Sequence, residues 1–558
     1  MPRKIEVFVK NLGRSVEVSG GETLEEIFRD HCGSVALRPI CARVNNKTED
    51  LQYPVFSPKQ VEFLDSTTPT ARRVYTRSLC MMLYKAVMEV CPGARLRIEH
   101  SISKGYYCRI TGPETGSPDA SLCSRLLAAM QDIAARDIPF LRHERLTADV
   151  IEMFRSQGLD DKVDLLETMG QLYTVYYELD GLCDSYYGAL APSTGHIRVF
   201  GLQPYKEGFL LLGPDTTDPD LPAQPVTQEK MYQAFTEYVR FNNIIGISNV
   251  GQLNRSVEDD RSAMLINVAE ALHEKSISRI SDEIKRRYEA GGARVVLIAG
   301  PSSSGKTTFT KRLAIQLMTN LLEPEMISLD NYFVNRDRTP LDDSGDYDYE
   351  SLYALDLEQF NSDLNALIRG EEVELPNYNF ELGRRQYRGE RIRLHENSIL
   401  LIEGIHGLNP ELTSSVSASM KYCVYVSALT TLSIDDHNWV PTTDNRLLRR
   451  IIRDAKYRGT SALETIRRWP SVRRGEERWI FPYQENADSM FNSSLLFELG
   501  VIKDEAEGLL RKVPTTALEY AEAYRLRRFL DCFLPISDRR IPSTSLLREF
   551  LGGSSFHY

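Results

Sequence analysis

The stretch Val295–Ala314, VVLIAGPSSSGKTTFTKRLA, constrains this chain more than any other. An apolar run leads into a loop of glycine, proline and serine, and a helix-like run follows. Gly300, Pro301, Ser302, Ser303, Ser304, Gly305, Lys306 and Thr307 match the pattern GxxxxGK[ST] without a mismatch. Glycines let backbone N–H groups close on phosphate oxygens where side chains would block the approach. Lys306 is placed to reach the β- and γ-phosphates, and the Thr307 hydroxyl to hold Mg²⁺. Thr308 follows in a helix whose positive end faces the same charge. No NKxD motif for guanine selection follows, so the expected cofactors are ATP and Mg²⁺. Strand, loop and helix in this order place the motif in an α/β fold with a parallel sheet.

One loop leaves most of the chain unaccounted for. At 558 residues the chain has room for roughly three or four domains. Its apolar content of 42% with 26% charged residues belongs to ordinary globular protein, and a net charge of −11 argues against general coating of nucleic acid or of an anionic membrane. The nine cysteines form no CxxC pair, which fits reduced thiols better than a disulfide framework or a zinc ribbon. The N-terminus carries charges throughout, and no apolar run is long enough to span a bilayer. The expected setting is the cytoplasm, without a membrane partner.

Residues 5–9 and 15–18 alternate like two strands of a hairpin, with a turn at Asn11–Arg14. Thr23 is a candidate cap for a helix over LEEIFRD, which Pro39 is expected to stop. CARVNN and VEFL then read as strands. This ββαββ order over residues 1–65 resembles a TGS domain, the ubiquitin-like module of threonyl-tRNA synthetases and some GTPases. GETLEEI and ARVNNKTEDLQYPV carry the resemblance. Residues 66–225, with a helical RRVYTRSLCMMLYKAVMEV and a strand-like RLRIEHSISKGYYCRI, resemble the α+β second domain of threonyl-tRNA synthetases, which edits mischarged tRNA. That family uses HxxxH and CxxxH pairs. Here Arg77 and Met81 stand at the first pair, Cys183 is kept, and Tyr187 replaces the last histidine, so neither editing nor zinc is expected. By the same resemblance an RNA or ribosome contact falls to the N-terminal half. Residues 226–290 read as a helical connector that packs on the segment 291–558.

Three further stretches of that segment bear on chemistry. EMISLDNYFVNRD reads as a strand ending in Asp330, beside the phosphate loop, where a carboxylate can accept a proton from a substrate hydroxyl. ILLIEGIHGLNP reads as a strand ending in Glu403, a second candidate for Mg²⁺. In TTDNRLLRRIIRDAKYRGT, Arg446, Arg449, Arg450 and Arg453 share one helical face, with Arg458 beyond. The D-x-[YF]-[YF] after the strand, the Glu-Gly dipeptide and the order DxRLxRRxxRDxxxRG together resemble the uridine kinase and phosphoribulokinase family.

The resemblance implies a kinase. Asp330 becomes the general base. Lys306, Arg450 and Arg453 stabilise charge on the transferred phosphoryl group, and Arg458 closes over ATP. Thr307 and Glu403 hold the metal. Arg449 and Tyr332 join the substrate contacts, and Arg446 stays undecided. The family's acceptor pocket carries PxYDF followed by histidine and arginine. In LPNYNFELGRRQY, Pro376, Tyr378, Phe380 and Arg385 match, Asn379 replaces the aspartate, and Gly383 stands in the histidine's place. Asp348 aligns with the ribose-binding aspartate, and Asp346 is its close rival. The implied reaction is phosphorylation of a nucleoside-like 5′-hydroxyl, with a phosphorylated sugar or an RNA-linked regulatory ATPase as alternatives. Homo-oligomeric assembly is implied as well.

Overall fold

The computed structural model describes residues 4–112, 118–342 and 345–557. The first sheet is built from Arg14–Ser19, Lys4–Val9, Lys59–Leu64, Cys41–Val44 and Lys47–Glu49, in that spatial order. Lys4–Val9 and Lys59–Leu64 run parallel, and the other pairs run antiparallel. The helix Leu24–His31 packs Leu24 and Ile27 on this sheet, as a ubiquitin-like fold requires. Thr23 caps it reciprocally: its hydroxyl accepts from Glu26 N at 3.3 Å, and the Glu26 carboxylate accepts from Thr23 N at 2.8 Å. The helix ends at His31, well before Pro39, because the chain leaves helical geometry at Cys32.

Helix Pro69–Val90 is buried along most of its length. It shares its core with a four-stranded antiparallel sheet made from Arg95–Ile102, Gly105–Thr111, Gly201–Tyr205 and Gly208–Leu212. A three-stranded sheet over residues 141–184 completes this α+β unit. Helices Glu229–Ile244, Val250–Glu258 and Ser262–Glu289 then lead to the phosphate loop.

The last sheet is wholly parallel. Its order is Glu323–Ser328, Ser398–Glu403, Val295–Ala299, Lys421–Ser427, Ser489–Asn492. All five residues of Val295–Ala299 are buried, each large side chain contributing roughly 1.5–3 kcal/mol. Val296 and Ile298 pack with Phe309, Leu313 and Ile277, and Val295 and Leu297 pack with Phe360 and Leu364. Helices thus cover both faces, which is why the strand reads as an unbroken apolar run. The connector helix Ser262–Glu289 supplies part of this cover, and its Glu270 and Glu274 pair with Arg312 of the phosphate-loop helix at 3.4 and 2.7 Å.

Two expectations need correction. The first strand after the phosphate loop stops at Ser328, and Asp330 sits in a short 3₁₀ turn, Leu329–Tyr332. That strand also does not border Val295–Ala299: Ser398–Glu403 lies between them, so Glu403 stands closer in the sheet than Asp330.

A hairpin, Ser433–Asp435 with Asn438–Trp439, leaves the parallel-sheet unit and docks into the N-terminal half. Asp436 O accepts from Ile98 N at 2.7 Å, Asp161 accepts from Asp436 N at 2.6 Å, and Trp439 packs on Tyr106. The chain runs directly from this hairpin into the arginine-bearing helix Thr442–Tyr457.

Candidate functional site

The loop Gly300–Gly305 joins strand Val295–Ala299 to helix Lys306–Thr319. Ser303 takes left-handed backbone, φ 59°, which turns successive N–H groups inward. Lys306 Nζ donates to Pro301 O at 3.3 Å, bending back across the loop. The loop is clamped from outside. Arg446 grips Glu476 in a bidentate pair at 2.5 and 2.6 Å and donates to Ser302 O at 3.4 Å, while Ser302 N donates to Glu476 at 3.1 Å. Arg449 forms the same kind of pair with Glu498 and donates to Ser303 O at 3.4 Å. Ser304 O accepts from Ser493 Oγ.

Arg446 and Arg449 are at most 1% exposed. Arg449 was expected among the substrate contacts, but its guanidinium is consumed by Glu498, Ser493 and the loop backbone. It holds the loop's shape from behind. Arg450, Arg453 and Arg458 differ. All three lean on one carboxylate, Asp454, at 3.2, 3.5 and 3.5 Å. Arg450 also donates to Ser302 Oγ at 2.7 Å. Three guanidiniums on one carboxylate leave positive charge beside the loop, the condition for holding phosphates.

Carboxylates crowd the other side. Thr307 Oγ1 lies 3.5 Å from Glu403 Oε2. Glu403 is pushed up to about 7 by burial, with Asp330 and Glu549 adding and Lys306 opposing. Glu350 is also pushed up to about 7, by burial first and then by Glu476 and Asp330, against the pull of Arg450 and Lys306. One Glu350 oxygen is buried with no hydrogen-bond partner among the described residues. Sequence reasoning passed over Glu350 in favour of Asp348 and Asp346, although it lies only two residues beyond Asp348. Asp348 instead accepts from Glu350 N at 3.1 Å and so orients that segment. The donor set of Thr307, Glu403 and Glu350 is all oxygen, which fits Mg²⁺. Among the described residues no three acids, histidines or cysteines form a ready metal cage.

Glu549, near the C-terminus, was not anticipated either. Its carboxylate accepts from Thr308 Oγ1 at 2.7 Å and from Thr308 N at 3.3 Å. An anion there occupies a donor at the start of the phosphate-loop helix. Glu549→Gln is expected to tighten ATP binding on the order of tenfold, about 1.4 kcal/mol, because a negative charge facing the phosphates is removed. Titration with a fluorescent ATP analogue reads this directly. Unchanged affinity would mean that the phosphates never meet this carboxylate.

At the expected acceptor pocket Tyr378 is buried, Phe380 is exposed, and both pack with Phe333 within 6 Å. The Tyr378 hydroxyl is buried without a partner among the described residues. Arg385 pairs with Asp356 at 2.5 Å, and its Nη1 is buried without a partner among the described residues. Gly383 has φ 64°, and a Cβ there would lie 2.7 Å from Arg336 Nε. The position that lost the family's histidine is therefore crossed by a guanidinium that donates to Phe380 O at 2.6 Å. Tyr332 corrects another expectation. It is 1% exposed and donates its hydroxyl to Asp363 at 3.0 Å, so it belongs to the core beneath the site.

Residues 295–495 match the profile of the phosphoribulokinase / uridine kinase family. Over the C-terminal part the chain is similar to a uridine kinase of Bacillus pumilus, at 29% identity over 195 residues, which is 35% of this chain and 83% of that protein. A uridine kinase of Halobacterium salinarum is 28% identical over 194 residues, 34% of this chain and 76% of that protein. The N-terminal half is similar to a threonine–tRNA ligase of Rubrobacter xylanophilus, at 28% identity over 191 residues, 34% of this chain. The chain spans only 29% of that ligase's length. Among solved structures a possible uridine kinase from Bacillus stearothermophilus aligns with TM-score 0.26 and 19% identity, over 38% of this chain and 98% of its own. No helix among the described residues is long and apolar enough to cross a membrane.

Proposed function

We propose that the chain transfers the γ-phosphoryl group of Mg²⁺–ATP to the 5′-hydroxyl of a nucleoside-like small molecule. The convergence of Lys306, Asp330, Glu350 and Glu403 opposite Arg450 and Arg453 carries the proposal. The charges that hold a triphosphate and the base that takes an acceptor proton then face one space. The match to the phosphoribulokinase / uridine kinase family supports the reaction class.

The division of labour follows from chemistry. Lys306 and loop N–H groups bind the β- and γ-phosphates, and Ser302, Ser303, Ser304 and Thr308 line the cradle. Thr307 and Glu403 would hold Mg²⁺, which would supply positive charge to offset that of the phosphates. Arg450 and Arg453 face the charge that develops on the transferred group, and Arg458 closes over the nucleotide. Asp330 is exposed and so free to take the acceptor's proton. Tyr378 and Phe380 offer ring faces to a base, and Asp348 and Arg385 bound the pocket.

Arg336 across Gly383 favours a second reading, an acceptor that already carries a phosphate. ADP release from Mg²⁺–ATP, with each common nucleoside and with ribulose 5-phosphate as acceptor, separates the two. Silence across the panel, with RNA-stimulated ATP hydrolysis instead, would overturn both.

The raised carboxyls make the site pH-dependent. Above the ordinary value of 4.5, a folded-state value near 7 for Glu403 means that its bound proton stabilises the ligand-free fold. That contribution is complete below about 4.5 and is lost as pH rises through 7. A cation needs the ionised form, so its binding releases the proton. Mg²⁺–ATP affinity is expected to fall about tenfold from pH 8 to pH 6. Glu403→Gln should weaken the affinity and leave only the shallower pH dependence that Glu350 contributes. A wild-type affinity independent of pH over this range would remove Glu403 from the metal site.

A further inference from the structure

Far from the phosphate loop in sequence, the chain forms a half-open cavity of about 430 Å³ where three parts of the fold meet. Its walls come from the ubiquitin-like unit (Lys47, Glu49), from the α+β unit (Arg73, Arg77, Arg142, Tyr187) and from the helix Tyr520–Leu530 (Tyr524, Arg525). Small-molecule sites typically measure roughly 300–1,000 Å³.

Most cations at this cavity lean on a nearby acid. Lys47 pairs with Glu49 at 3.0 Å and Arg73 with Glu522 at 2.8 Å. Arg525 pairs with Asp444 and Glu522 at 2.7 and 2.6 Å, and Arg142 lies 3.7 Å from Asp50. Arg77 does not. Its Nε and Nη2 both donate to the Ala189 carbonyl, at 3.1 and 3.0 Å, and no carboxylate pairs with it among the described residues. Burial, then Arg73 and Arg525, push it down to about 10. Gly188 leaves the space the guanidinium needs: a Cβ there would lie 2.8 Å from Arg77 Cζ. A partly buried cation without a counter-charge is disfavoured, and a bound anion would supply one. The Ala189 carbonyl engages Nε and Nη2 but carries no net charge, so an anion is the partner that Arg77 can still take. Tyr177, Tyr186, Tyr187 and Tyr524 line the same space and present ring faces.

We propose that this cavity is a second ligand site, taking a phosphorylated small molecule that carries a flat ring, with its phosphate on Arg77. The cavity also touches the phosphate loop through charge. Arg525, in its wall, grips Asp444 in the first turn of helix Thr442–Tyr457. Arg446 and Arg450 of that helix hold Ser302. A phosphate that drew Arg525 from Asp444 would act on the loop through one rigid helix.

The test is calorimetry on the full chain carrying Lys306→Ala, which weakens the phosphate loop as a competing site. The probes are pyrophosphate, the four ribonucleoside 5′-monophosphates and a short single-stranded RNA. One-site binding of a monophosphate, weakened at least ~10-fold by Arg77→Met with circular dichroism unchanged, is the expected result. Should Arg77→Met unfold, Arg142→Ala at the half-exposed mouth must weaken the same binding. Binding that neither variant alters, binding of RNA alone, or no binding of any probe overturns the proposal. Because the readout is binding with the phosphate loop disabled, it stands or falls apart from the kinase reaction.

Discussion

Asp330→Asn is expected to bind Mg²⁺–ATP with nearly unchanged affinity and to transfer phosphate about 10²–10⁴ times more slowly, the usual worth of a positioned general base. The separation of the two effects follows from where Asp330 sits. It is exposed, in a short turn beyond the end of strand Glu323–Ser328, and the turn is held by its own backbone N–H donating to Ser328 Oγ at 3.4 Å. No core contact depends on the carboxylate, so the amide should fold as the acid does. Its neighbour Tyr332 makes the contrast. Tyr332→Phe would strip a buried hydrogen bond from Asp363 and cost stability before it cost chemistry. ADP release at saturating acceptor, beside titration with a fluorescent ATP analogue, reads both quantities. Full turnover by the Asp330→Asn chain would put the base elsewhere.

What the sequence made legible had local causes. The phosphate loop is visible because its chemistry lies in backbone geometry that eight consecutive residues dictate. The parallel sheet is visible because VVLIA and ILLI are unbroken apolar runs, as strands covered on both faces must be. The Thr23 cap is visible because its partner is three residues away. The parts that were not legible depend on distant partners. Arg446, Arg449, Arg450 and Arg453 look alike at helical spacing. Glu476, 30 residues on, and Glu498, 49 residues from Arg449, turn the first two into braces and leave the others beside the loop. Glu549 reaches Thr308 across 241 residues. The strand order that sets Glu403 between Asp330 and the phosphate loop is likewise a property of the whole sheet. A pattern of residue types cannot distinguish a buried arginine from a waiting one until the acids that face it are placed.

The largest stability effect should come from a residue outside the phosphate-loop region. Lys162 is 1% exposed and holds two buried carboxylates, Asp184 at 2.8 Å and Asp435 at 3.0 Å. His437 Nδ1 lies 2.8 Å from Asp184, and Asn438 donates to Asp435 at 2.8 Å. Lys162 and Asp184 belong to the N-terminal half, whereas Asp435, His437 and Asn438 belong to the hairpin that reaches into it. Lys162→Met removes the cation and leaves two enclosed acids facing one imidazole. Such a loss costs about 3–5 kcal/mol, and the strain falls on the hairpin. Because the hairpin runs straight into helix Thr442–Tyr457, the arginines that brace Ser302 and Ser303 should lose their register and ATP should bind more weakly. A lower urea midpoint and faster proteolysis within residues 428–442 are the expected signs. Asp184→Asn added to Lys162→Met should recover part of both, since it removes one of the orphaned charges. If the single variant kept its midpoint and its ATP affinity, the network would be dispensable and the phosphate loop would not depend on the half of the chain that precedes it.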